Sequence, residues 1–145
     1  MGQSLEIFLP DSSKVILEPG SELRLDEKSY AQSARTLELD GSALFDVMRN
    51  ENSPFTIKTS RTEVRVLGTS FLVSDRKSSD TASVTVITGK VRFSVLKGDK
   101  HHKDLTPGEK GFITKSDLSI QSSTTAVDEL QYELNKTIIF KGNLS

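Results

Sequence analysis

Residues 54–73 read PFTIKTSRTEVRVLGTSFLV, and the pattern changes phase part-way along. Phe55 and Ile57 alternate with polar residues, as do Val64 and Val66, which is the period-two signature of half-buried strands. Val64 and Val66 occupy even positions, whereas Phe71 and Val73 occupy odd ones, with Leu67, Gly68 and Thr69 between them. A strand keeps one face buried only while its parity holds. The slip therefore predicts a bulge near Leu67 and Gly68, inside a strand over 63–73. Glycine tolerates such a kink. The segment reads as sheet with a corner and carries no catalytic pattern.

Turn signals recur at short intervals: Pro10-Asp11, Pro19-Gly20, Asp40-Gly41, Ser53-Pro54, Gly89, Gly98-Asp99 and Pro107-Gly108. Short alternating runs between such breakers are the mark of an all-β chain. They predict strands over 5–9, 14–18, 22–25, 36–39, 43–47, 55–59, 63–73, 83–87, 91–95, 110–113 and 119–122. Pro107-Gly108 reads as a type II turn, proline fixing φ at the first central position and glycine supplying positive φ at the second. The Leu-x-Pro-Gly string occurs twice, from Leu17 and from Leu105, without a fixed period. The expected architecture is a sandwich-like or solenoid-like stack of short strands. Residues 26–35, 75–81 and 98–104 are polar and patternless, and read as exposed loops. Val127, Leu130 and Leu134 recur at helical spacing, and Thr125 with Asp128 resembles a capping box, so one short C-terminal helix is expected there. Residues 137–140 return to strand.

A chain of 145 residues suits a single core without staples. Its net charge of −1 gives no electrostatic footprint for nucleic acid or an anionic membrane surface. The absence of cysteine removes disulfides, thiolate metal sites and cysteine nucleophiles. No run approaches the roughly 20 apolar residues that span a bilayer, and Met1-Gly2-Gln3 lacks the features of a signal peptide.

Chemistry-bearing constellations are sparse. His101 and His102 are adjacent, so their side chains point apart on an extended chain, and no third metal ligand is near in sequence. They are expected to be exposed loop residues. Serines are numerous but no Gly-x-Ser-x-Gly elbow occurs, and no glycine-rich phosphate cradle precedes a helix. Asp40, Asp46, Glu51, Asp75 and Asp80 read as solvated surface charge rather than a calcium loop. Arg61, Arg65, Arg92 and Lys58 read as the wet face of a sheet opposite the valines. Phe45, Phe55, Phe71 and Phe93 fall on alternating apolar positions and are expected in the core. By its residues the chain is a non-enzymatic all-β interaction domain with no cofactor.

Several blocks carry a family resemblance: LPDSSKVILEPGSELRL from Leu9, LELDGSALFDV from Leu37 with Gly41 and Phe45, and Pro54-Phe55. They are followed by VRVLGTSFLV from Val64 with Leu67, Gly68, Thr69 and Phe71, then VTVITGKVRFSV from Val84, then LTPGEKGFI from Leu105 with Pro107 and Gly108. In this order, over roughly residues 5–144, they resemble the periplasmic domain of FecR-type anti-sigma factors. Two departures are Ser12, where members often carry glycine, and Leu134, where they often carry tryptophan.

The resemblance implies a periplasmic, signal-receiving domain, anchored to the inner membrane by a helix that would precede Gln3, with Met1-Gly2 as an added start. Its partners would be the signalling domain of a TonB-dependent outer-membrane transporter and, through a cytoplasmic segment, a sigma factor. Iron–siderophore or glycan uptake would be the regulated process, with no small-molecule ligand of its own. The implied division is an all-β domain over 3–125 and, over 126–145, the helix and first strand of a small C-terminal module. IIFKGNLS resembles the start of that module, which makes Ile138, Phe140 and Leu144 the expected partner-binding residues. The rival reading from another class is a surface-exposed β-sandwich adhesion or glycan-binding module.

Overall fold

The computed structural model describes residues 3–25, 30, 35–96 and 101–124, and these form an all-β domain. Its twelve strands belong to one mixed sheet that curls over until two layers face each other. The strands are β1 (Leu5–Phe8), β2 (Lys14–Leu17), β3 (Glu22–Leu25), β4 (Arg35–Asp46), β5 (Phe55–Lys58) and β6 (Thr62–Val66). They continue as β7 (Ser70–Asp75), β8 (Thr81–Thr88), β9 (Val91–Val95), β10 (His102–Leu105), β11 (Glu109–Thr114) and β12 (Gln121–Thr124). The C-terminal helix and strand expected after residue 125 lie outside the described residues.

β4 is the hinge between the layers. The sequence splits it at Asp40-Gly41 into two strands, but the backbone runs on for 12 residues without a turn. Its first half lies between β3, antiparallel, and β5, parallel. Its second half lies between β2 and β7, both antiparallel. Gly41, at φ 127°, is the point where the strand exchanges one set of partners for the other. Almost any side chain would resist that angle, so a strand bend replaces the expected turn. One layer then contains β1, β2, β7, β8, β11 and β12, and the other β3, β5, β6, β9 and β10.

The 63–73 segment also departs from the reading as a single bulged strand. It is two strands in different layers, β6 pairing with β5 and β9, and β7 with β4 and β8. The parity slip is real, but it is absorbed by the crossing of Leu67–Thr69 between layers. A register irregularity does occur, between Ser70 and Phe71 against β8. Gly68 is outside the positive-φ region. What demands glycine there is proximity, since a Cβ would fall 2.5 Å from both Cα and Cβ of Arg49.

The predicted phenylalanine core is observed. Phe45, Phe55, Phe71 and Phe93 are fully buried in one cluster with valines and leucines of both layers. The Phe45 and Phe71 rings stack at 5.3 Å, and Phe55 meets Phe45 edge-on at 6.1 Å. Each such ring contributes roughly 1.5–3 kcal/mol by burial. On the opposite face of the first layer, Ile16, Leu44 and Leu72 line up in register across β2, β4 and β7, with Ile87 beside them.

The two Leu-x-Pro-Gly strings are the same device. Ser21 N–H bonds to Glu18 O and Glu109 N–H to Thr106 O, each closing a turn with Pro then a positive-φ glycine, Gly20 at 77° and Gly108 at 91°. Both are type II turns. The first hairpin carries a related demand. Ser12 sits at φ 73°, the left-handed conformation, in the turn where Ser12 N–H bonds to Leu9 O and Leu9 N–H to Ser13 O. A non-glycine residue there costs about 1–2 kcal/mol, partly offset by the flexibility glycine adds to the unfolded chain. Ser12→Gly is accordingly expected to stabilise the domain by about 0.5–1 kcal/mol, read as a higher urea midpoint with an unchanged slope. A lower midpoint would show that the serine contributes more than its strain costs.

Candidate functional site

The family-like residues converge on the crossing between layers. Pro54 and Phe55 open β5, Leu67–Thr69 form the crossing, Phe71 lies in β7, and Phe45 lies opposite it in β4. Val47 N–H bonds to Thr69 O and Asn50 N–H to Leu67 O, so the loop after β4 is stitched to the crossing. Thr69 Oγ1 donates to Lys90 O at 3.1 Å and ties in the β8–β9 turn. Gly41 stands apart at the bend of β4, and Pro107 and Gly108 in the β10–β11 turn.

At the centre of this region is Arg35, the last residue of the polar stretch whose composition predicts an exposed loop. It is 3% exposed. Parallel pairing of β4 with β5 sets Arg35 opposite Phe55, and its guanidinium lies 5.5 Å from that ring's centroid. Nε donates to Ser53 O at 2.7 Å, Nη1 to Met48 O at 2.7 Å and to Asp11 Oδ2 at 2.9 Å. Nη2 donates to Leu67 O at 3.2 Å and Asn50 O at 3.4 Å. One side chain thus holds the first hairpin turn, the loop after β4 and the layer crossing together. A guanidinium can do this because its donors form a rigid planar fork.

Asp11 completes the network. Its Oδ1 accepts from Ser13 N–H at 3.0 Å and Tyr30 O–H at 2.9 Å, and its Oδ2 also accepts from Ser13 Oγ. Burial works to raise the Asp11 pKa, but the hydrogen bonds from Arg35, Ser13 and Tyr30 outweigh it and hold the carboxyl below its ordinary value. Tyr30, buried and bonded to that carboxylate, has its hydroxyl pushed well above the usual phenol range. No sequence pattern flagged Tyr30 or Arg35. The available signal was an arginine placed just before an apolar-alternating strand.

A second buried pair corrects the reading of Asp75 and Arg61 as solvated. Asp75 is 1% exposed and accepts from Arg61 Nε at 3.0 Å and Nη2 at 2.6 Å. Arg61 also donates to Asp80 O at 3.0 Å and to Ser79 O, pinning the β7–β8 loop. Arg65, Arg92 and Lys58 are exposed as expected.

The histidines are also placed differently from the expected exposed loop. His102 begins β10, opposite Ser94 of β9, and its side chain is exposed. His101 is half-buried and its Nε2 accepts from Ile120 N–H at 3.3 Å. Among the described residues no group of three or more His, Cys, Asp or Glu is arranged to hold a metal ion. Ile138, Phe140 and Leu144 lie outside the described residues.

Comparison with known proteins bears on this arrangement directly. The family described as FecR protein matches residues 1–92, which include Arg35, Gly41, Pro54, Gly68 and Phe71. The chain belongs to the FecR family. Two crystal structures, at 1.65 Å and 2.50 Å resolution, each of a protein assigned as an anti-sigma factor from Parabacteroides distasonis ATCC 8503, match with a TM-score of 0.81 and 28% identity. The match covers 92% of this FecR chain and 61% of each of those proteins, so the chain spans less than two thirds of their length. No functionally curated protein matches the chain. Among the described residues no helix is long and apolar enough to cross a membrane.

Proposed function

We propose that this FecR domain is the periplasmic, signal-receiving part of a membrane-anchored anti-sigma regulator. The observation that carries this is the structural match to an anti-sigma factor over 92% of the chain, joined to family membership. The site geometry supports a relay and not catalysis. Arg35 and Asp75 are buried, Asp11 is half-buried, and all three are consumed by hydrogen bonds that tie loops to strands. Phe8 is the large exposed aromatic among the described residues, so a ring-lined sugar platform, which the glycan-binding alternative needs, has little support.

In the regulatory reading the intact protein restrains a sigma factor in the cytoplasm through a segment outside this chain. Its periplasmic part responds to the signalling domain of a TonB-dependent outer-membrane transporter loaded with an iron–siderophore or a glycan. Residues 3–125 form the receiving domain, and Ile138, Phe140 and Leu144 contact the transporter's signalling domain. Ile138→Asp combined with Phe140→Asp in the full-length regulator is expected to abolish induction of a sigma-dependent reporter by transporter substrate. Basal repression should persist. Induction at the wild-type level would remove those residues from the partner surface, and a reporter indifferent to deletion of the whole regulator would overturn the anti-sigma role.

A further inference from the structure

The outer side of the layer crossing is an open groove of about 340 Å³. It is lined by Arg49, Arg65, Lys90 and Arg92, together with Leu67 and Asp104.

Two features set the groove apart from an ordinary wet sheet face. Arg65 of β6 and Arg92 of β9 are direct cross-strand partners. Like charges set opposite each other oppose sheet formation. Arg92 is relieved by Asp104 at 3.0 Å, Lys90 reaches the same carboxylate at 4.0 Å and Arg49 pairs with Glu51 at 2.7 Å, whereas Arg65 makes no ion pair among the described residues. The second feature is Leu67, which lines the same groove and is 38% exposed. A large apolar side chain left in water beside guanidinium groups suits a ligand that carries both kinds of group.

We infer that this groove binds an acidic peptide segment of a partner protein, with carboxylates flanking an apolar side chain. The guanidinium fork of Arg65 matches a carboxylate in shape as well as charge, while Arg49 and Arg92, already held by the exposed Glu51 and Asp104, add positive potential around it. Leu67 receives the apolar side chain. The crossing's own backbone groups are engaged internally, Leu67 O by Asn50 and Arg35, and so recognition falls to side chains. Asp104 disfavours a dense polyanion such as nucleic acid. The concave shape, with Leu67 in its lining, favours a peptide over a flat anionic lipid surface. This surface is argued from charge and shape and goes beyond the regulatory reading, on which it does not depend.

The test uses the 145-residue chain and a fluorescein-labelled nonapeptide in which Glu and Asp surround a central Leu, followed by fluorescence anisotropy at low salt. The acidic peptide is expected to bind saturably and to weaken as salt is raised. Its Gln/Asn counterpart should bind at least about tenfold more weakly. Arg65→Glu with Lys90→Glu should weaken the acidic peptide by at least about tenfold, while Lys115→Glu, on the far layer, leaves it unchanged. Thermal melts establish that each variant is folded. Amide shifts at Arg65, Leu67 and Arg92 on peptide addition give a second reading that needs no variant. Equal binding of the neutral peptide, indifference to the groove variants, or binding to phosphatidylglycerol vesicles without peptide binding would each overturn the assignment.

Discussion

Arg35→Met is expected to destabilise the domain by about 3–5 kcal/mol, the usual consequence of removing one partner of a buried ion pair. Methionine fills much of the volume beside Phe55 but supplies no donors. The carbonyls of Met48, Ser53 and Leu67, and the Asp11 carboxylate, each lose a hydrogen bond made by the guanidinium. Arg35→Lys should recover only part of the loss, because one ammonium cannot reach every acceptor at once. Urea melts at neutral pH would read the effect directly, and a shift of less than about 1 kcal/mol would mean the loops are held by other contacts.

The same variant should alter the acid limb of stability. Asp11 has a folded pKa below its ordinary value, with burial opposing and the Arg35 hydrogen bond leading the causes that lower it. A carboxyl lowered on folding contributes stability that is complete above the unfolded value, near 4, and is lost as pH falls through the folded value. Wild-type protein should therefore lose stability progressively below about pH 4. Arg35→Met should lose less of its remaining stability over that window. An identical pH dependence in the two proteins would exclude Asp11 as the titrating group.

Gly41→Val is the second large expected effect, about 3–5 kcal/mol, from two causes acting together. Its φ of 127° lies in a region that β-branched residues avoid. A Cβ there would also fall 2.8 Å from the Ser21 Cα and on top of Ser21 Oγ, which accepts a hydrogen bond from Ser42 N–H. The backbone of Ser21 cannot retreat without moving β3. Gly41→Ala should show most of the same loss, since strain and clash both begin at Cβ. A thermal midpoint for Gly41→Ala within about 2 °C of wild type would show that β4 can bend elsewhere.

Much of the fold was legible because strand burial is a local, period-two property. Phe55, Ile57, Val64, Val66, Phe71 and Phe93 announce their inward faces by spacing alone, and each is buried. The type II turn at Pro107-Gly108 was legible for the same reason, since proline and glycine restrict their own backbone angles. β10 was missed because HKDL has no alternation, and its pairing to β9 comes from the partner strand's geometry. The Asp40-Gly41 pair looked like a turn because in isolation it favours one, and tertiary pairing on both sides holds it extended.

The sequence by itself determined an all-β chain, the composition of its core, the position of its corner near Gly68 and its FecR character. Tertiary structure decided what that corner is: a crossing between layers in place of a bulge, with glycine required by the nearness of Arg49. It alone decided that Arg35 and Asp75 are interior, that the half-buried Asp11 meets Arg35, and that Arg65 and Arg92 stand side by side. The physical reason is that burial of a strand face depends on neighbours two residues away. The fate of a charge depends on which distant carbonyls and carboxylates the folded chain brings within hydrogen-bond reach.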